Sequence, residues 1–144
     1  MQSRRGQTEA LLAACFTGGC AGALINSLAA WLLGNWGISA LLGVRIAPDF
    51  TPAWLYPRIV WGGIWGILFF FTVAHRQARR RWIRKGLILS LVPSLFQLLV
   101  FFPAQPGAGM MGQGLGTLTP LVVVFLNLVW GFFAGLFTRL FWGK

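Results

Sequence analysis

Acidic residues are almost missing. Glu9 and Asp49 are the only two in 144 positions, against twelve Lys and Arg, and charged residues of every kind make up 10% of the chain. A soluble domain carries roughly a quarter. Histidine occurs once, at His75, and cysteine twice, at Cys15 and Cys20. A metal site needs several ligands, and this set is too small and wrongly spaced to supply them. A Ser/His/Asp nucleophile set would have to bring Asp49 to His75 across ~30 Å of hydrocarbon. Cys15 and Cys20 would lie on different faces of one helix, which excludes a disulfide between them and leaves them as small packing residues. No expected span places Asp, Glu, Lys or Arg near the bilayer centre, which argues against a proton-coupled pump. The chain reads as non-enzymatic, with no cofactor predicted, although its apolar surfaces leave room for a bound lipid or pigment.

What is abundant is hydrophobic sequence. Apolar residues make up 57% of the chain, and the mean hydropathy is +0.73. Long apolar runs with so few charges indicate an all-α integral membrane protein. Four transmembrane helices are expected at about 10–33, 57–74, 87–102 and 119–140, forming a single domain over 1–144. Pro57 suits a first helical turn, and Pro93 predicts a kink in the third span. Residues 38–46 predict a short helix on the membrane surface. Residues 103–117, rich in glycine, read as a flexible or surface-lying connector. Leu12-Ala13-Ala14-Cys15 matches a lipoprotein box, but too few apolar residues precede it for a signal h-region. Arg4-Arg5 lacks the apolar residues that follow a twin-arginine pair.

The same hairpin plan occurs twice. Trp61-Gly62-Gly63-Ile64-Trp65-Gly66-Ile67 and Trp130-Gly131-Phe132-Phe133-Ala134-Gly135-Leu136 both read W-G-x-x-x-G-[IL], and each follows a Thr-Pro pair, Thr51-Pro52 and Thr119-Pro120. Hairpin one covers about 10–74, a basic loop 75–86, and hairpin two about 87–140. Ten of the twelve basic residues fall at Arg4, Arg5, Arg76, Arg79, Arg80, Arg81, Arg84, Lys85, Arg139 and Lys144, leaving only Arg45 and Arg58 for the other side. The positive-inside rule then places both termini and the central loop in the cytoplasm. The two hairpins are therefore parallel repeats in the bacterial cytoplasmic (inner) membrane. The net charge of +10 lies between spans and does not indicate nucleic acid.

Three residue groups are candidates for function. Gly62, Gly66, Gly131 and Gly135, with Trp61, Trp65 and Trp130, mark small-residue faces by which spans two and four would pack on each other or on a partner. Asn26, Ser27, Ser94, Gln97 and Asn127 form a neutral polar set about 10 Å below the outer surface. They would serve either as interhelical hydrogen bonds or as a ring selecting a polar solute. Arg76, Arg79, Arg80, Arg81, Arg84 and Lys85 form a strip for anionic lipid headgroups.

Gly18-Gly19-Cys20-Ala21-Gly22-Ala23 and Gly116-Thr117-Leu118-Thr119 resemble short elements of the small four-helix fluoride-channel family. The family's arginine after the first glycine cluster and its Phe/Thr/Ser-rich helix break have no counterpart here, so no function or residue role is carried over. The leading expectation is an accessory or scaffold subunit that packs against a larger membrane complex or its own copies, with its arginine strip on anionic lipid. The alternative is a small oligomeric channel or facilitator for a neutral or anionic solute.

Overall fold

The computed structural model describes residues 2–143. Lys144 lies outside the described residues, and so does the side chain of Arg76. The order is α1 (Gln2–Asn35), a single turn α2 (Ile38–Leu41), α3 (Pro52–Val73), α4 (Trp82–Leu89), α5 (Leu91–Phe96), a π turn (Gln97–Phe101), α6 (Phe102–Ala104) and α7 (Thr119–Trp142). No strand occurs among the described residues. Four helical stretches are long and apolar enough to cross a membrane: Arg4–Asn35, Pro52–Val73, Trp82–Ala104 and Thr119–Trp142.

α1 packs on both α3 and α7, α4 packs on α7, and α3 touches α4 more lightly. α3 and α5 meet mainly through an aromatic edge, where the Phe96 ring lies 6.4 Å from Trp61 and 5.4 Å from Trp65. One end of the bundle, the terminal end, carries both chain ends and the 74–81 connection. There Leu11, Cys15, Phe69, Val73 and Trp82 bury one another. The other, the loop end, carries the two long connections.

The glycine faces explain the tight pairs, and within the chain they meet α1 and α4. A Cβ on Gly66 would lie 2.5 Å from the Cys15 carbonyl oxygen and 2.9 Å from Gly19 Cα, and Gly62 also faces Gly19. A Cβ on Gly135 would lie 2.6 Å from the Trp82 carbonyl oxygen, and Gly131 faces Gly86. Each W-G-x-x-x-G segment thus lets its helix press onto the first helix of its own hairpin. Helices approach this closely only where no side chain intervenes, and in lipid such packing drives association.

α3 starts at Pro52, not at Pro57 as the sequence reading places it. Thr51 is the N-cap, its Oγ1 accepting from Trp54 N at 3.3 Å, and Pro52 occupies the first turn. A proline there lacks only an N–H that would be unbonded anyway. The matching Thr119-Pro120 pair behaves differently. Leu118 is the N-cap, and Thr119 is fully buried with an unpartnered Oγ1.

The third span runs as one helical stretch from Trp82 to Ala104, with its hydrogen-bond ladder interrupted at Ser90, three residues before Pro93. α4 ends at Leu89, and α5 begins after Ser90. Pro93 removes a backbone donor, and two serines meet carbonyls beside the break: Ser90 Oγ donates to Leu87 O at 2.6 Å and Ser94 Oγ to Ser90 O at 2.8 Å.

The surface helix expected over 38–46 is one turn only, stopped by Gly43 at φ +67°. The glycine-rich connector is packed, not loose. Ala108 is buried with Leu98, Phe102 and Val123, and Met111 and Leu115 pack against them. Gly112, at φ +71°, sits where a side chain would strike the Phe102 ring. Arg45 N donates to Leu115 O at 2.8 Å and the Arg45 guanidinium donates to Gly114 O, tying the two long connections together.

Candidate functional site

The early start of α3 changes the meaning of Arg58. A helix beginning at Pro52 carries this residue nearly two turns inward, about 9 Å along the axis at 1.5 Å per residue. On the sequence alone the second span starts at about Pro57, which leaves Arg58 in its first turn at the outer end. In the structure it lies within the third helix of the chain, half-buried, and reaches α1. Arg58 Nη2 donates to Asn26 Oδ1 at 2.7 Å and Arg58 Nε to Ser27 Oγ at 3.0 Å. Its Cζ lies 4.7 Å from the centroid of the Trp54 ring, one turn back on the same helix. All these partners are neutral. Two of the five guanidinium N–H donors are thereby engaged.

Asn26 in turn joins α1 to α7, its Nδ2 donating to Leu126 O at 2.5 Å. Across the bundle, Asn127 Nδ2 donates to Gln97 Oε1 at 3.4 Å, linking α7 to the π turn. Four of the five expected polar residues therefore gather at one level: Asn26, Ser27, Gln97 and Asn127. Ser94 does not join them, because its hydroxyl serves the α4–α5 break. The set is not neutral either, since Arg58 stands inside it.

Around these groups lies a cavity of about 300 Å³, lined by Asn26, Arg45, Trp54, Arg58, Gln97 and Asn127 among others. A second cavity of about 390 Å³ adjoins it along α3 and α5, lined by Trp61, Trp65, Pro93, Phe96, Phe101 and Trp130. The two share Asn26, Arg58, Gln97 and Asn127. Neither is lined by a carboxylate, and the two acidic side chains of the chain, Glu9 and Asp49, are both exposed. The first cavity is thus cationic at its wall and polar within, and the second is aromatic.

The deep tryptophans divide by role. Trp130 is buried, and its Nε1 donates to Gly19 O at 3.0 Å, so it fills the α1–α7 seam. Trp61, its counterpart in the first hairpin, is 52% exposed on the wall of the aromatic cavity. Trp65 stands beside it, 6.2 Å away.

At the terminal end the basic strip is split. Arg79 donates to Val73 O at 3.2 Å and to Ala74 O at 3.5 Å, and its guanidinium lies 4.9 Å from the Trp142 ring. Lys85 Nζ donates to Thr72 O at 2.6 Å and to Ala78 O. Both are occupied at the C-terminus of α3, where exposed carbonyls and the helix dipole favour a cation. Arg80, Arg81 and Arg84 remain exposed. Cys15 and Cys20 are free thiols, Cys15 within the core. Among the described residues no three His, Cys, Asp or Glu side chains gather as a metal site.

Compared with protein-family models, with curated proteins and with solved structures, the chain matches none.

Proposed function

We propose that this protein is a non-enzymatic, multi-pass membrane protein that binds an anionic group in the Arg58 cavity, as the recognition element of a small facilitator or carrier. One observation carries the reading. An arginine stands nearly two turns inside a membrane-length helix, beside an open cavity, with only neutral partners. A charged side chain within a span is costly, and such residues are associated with substrate pathways and binding sites. Arg45, also on the cavity wall, adds to the positive field. The accessory-subunit reading began from small-residue faces open to a partner. Here Gly62, Gly66, Gly131 and Gly135 are occupied by helices of the same chain, which favours the binding reading over it.

The topology belongs to the same proposal. The terminal end, with the basic loop, faces the cytoplasm of a bacterial cell, and the Arg58 cavity opens on the opposite side. The two hairpins are direct repeats, each closed by its own W-G-x-x-x-G segment. The exposed Arg80, Arg81 and Arg84 lie against anionic headgroups.

The test is binding of methyl phosphate to the purified protein in a neutral detergent, followed by phosphorus NMR line width. The wild type broadens the signal saturably, and Arg58→Gln reduces affinity at least tenfold. Equal affinity in both would remove the reading. Flux of the same anion into liposomes holding only this protein separates a facilitator from a binding protein.

A further inference from the structure

The polar and aromatic cavities meet at Asn26, Arg58, Gln97 and Asn127, which line both. We infer that together they hold one molecule, an anionic amphiphile from the bilayer with a phosphate head at Arg58 and an alkyl tail along Trp61, Trp65 and Phe96. This rests on the anion-binding reading above and names the ligand class for it.

The head is argued from charge and donor number. Arg58 keeps three N–H donors beyond its bonds to Asn26 and Ser27. Gln97 Nε2 keeps two more, since only its Oε1 meets Asn127. Arg45 brings a second guanidinium to the wall from the α2–α3 connection. A carboxylate offers two oxygens. A phosphate ester offers more, and guanidinium forks suit it in bidentate geometry. No acidic residue lines either cavity to oppose it.

The tail is argued from where the second cavity leads. Its lining runs from the shared residues along α3, from Pro57 and Arg58 to Trp61 and Trp65, one to two turns deeper into the span. The opposite wall is Pro93, Phe96 and Phe101. The break at Ser90, Pro93 and the π turn at Gln97–Phe101 shape this wall, and π turns inside helices recur at binding sites. Trp61, Phe96 and Phe101 are 52%, 40% and 48% exposed, so the groove opens sideways on the face that lipid tails meet. A water-soluble anion uses only the first cavity. An amphiphile uses both, with head and tail separated along the membrane normal as they are in a leaflet.

The experiment uses the full-length protein in nanodiscs of neutral phosphatidylcholine, doped with dodecyl phosphate carrying a photoreactive diazirine near the tail end. Native mass spectrometry counts the retained amphiphile, and peptide mapping locates the crosslink. The expected result is one dodecyl phosphate per chain, with crosslinks on 61–65 and 93–96. Arg58→Gln lowers retention at least tenfold, and Trp65→Ala lowers it at least threefold while leaving methyl phosphate binding unchanged. Dodecyl glycerol, with the same tail and no charge, is not retained. Crosslinks spread evenly over outward residues such as Leu121, Phe125 and Leu140 would overturn the inference, as would equal retention of dodecyl glycerol. If methyl phosphate binding needs Arg58 but the dodecyl tail does not crosslink to the groove, the amphiphile is wrong and the anion site stands. If neither phosphate depends on Arg58, both fall. Circular dichroism and elution volume, matching wild type, qualify each variant as folded.

Discussion

Replacing Gly66 by alanine should loosen the bundle, and the size of the effect follows from the geometry. The added methyl group would sit 2.5 Å from the Cys15 carbonyl oxygen, about 0.9 Å short of the 3.4 Å at which ordinary contact begins. Its next neighbours, Gly19 Cα and Gly19 N, are also backbone, at 2.9 and 3.2 Å. No side chain can swing aside, so α1 and α3 must separate along the seam. Overpacking of this kind costs about 1–3 kcal/mol. Alanine's better helix propensity returns about 1 kcal/mol, so with backbone on every side the net loss lies toward the upper end of about 0–2 kcal/mol. Gly135→Ala, at the equivalent place in the second hairpin, meets the Trp82 carbonyl oxygen at 2.6 Å and should lose a similar amount. Gly6→Ala meets nothing within 4 Å and should be neutral or slightly stabilising. The assay is reversible unfolding of the monomer in mixed micelles, read by far-UV circular dichroism. If Gly66→Ala and Gly135→Ala unfold at the same point as wild type, the helices do not approach as described. If they keep monomer stability but lose a co-purifying protein, the glycine faces serve a partner after all.

Three further outcomes follow from single contacts. Trp130→Phe keeps most of the ring volume but deletes the donor to Gly19 O; interhelical hydrogen bonds in membranes are worth ~0.6 kcal/mol and at most ~1.7, so a loss above ~2 kcal/mol in the same unfolding assay would show that packing, not the bond, dominates there. Lys85→Met withdraws the ammonium from the Thr72 and Ala78 carbonyls and should fray the last turn of α3 at about 1 kcal/mol, seen as faster amide exchange confined to 70–74; unchanged exchange would refute the cap. Impermeant thiol reagents on whole cells, in a background lacking Cys15 and Cys20, should label Gln105→Cys and spare Arg80→Cys; the reverse pattern would invert the proposed topology.

Most of the architecture was legible because a bilayer allows few solutions. Apolar runs of membrane length must be helices when no water satisfies the backbone, and the four spans lie where hydropathy places them. The W-G-x-x-x-G repeats were legible as close-packing faces, but not their partners, since spacing marks a helix face without saying what meets it. A span that starts at Pro57 holds Arg58 only at its outer edge. Thr51-Pro52 carries the N-cap and first-turn signature, and reading it in preference to Pro57 would have put Arg58 level with Asn26. The split of the basic strip was not legible, because Arg79 and Lys85 differ from Arg80 and Arg84 only in where the folded connection turns them.

By itself the sequence determined the number of helices long and apolar enough to cross a membrane and the glycine positions where helices can touch, because burying backbone and charge in hydrocarbon is costly wherever it happens. Only the tertiary structure decided that Gly19 and Gly86 are the surfaces those glycines meet. It alone brought Arg58, Asn26, Gln97 and Asn127 from four separate segments to one wall. That convergence depends on the register between helices and on the break after Leu89, and both are set by long-range packing that no local pattern encodes.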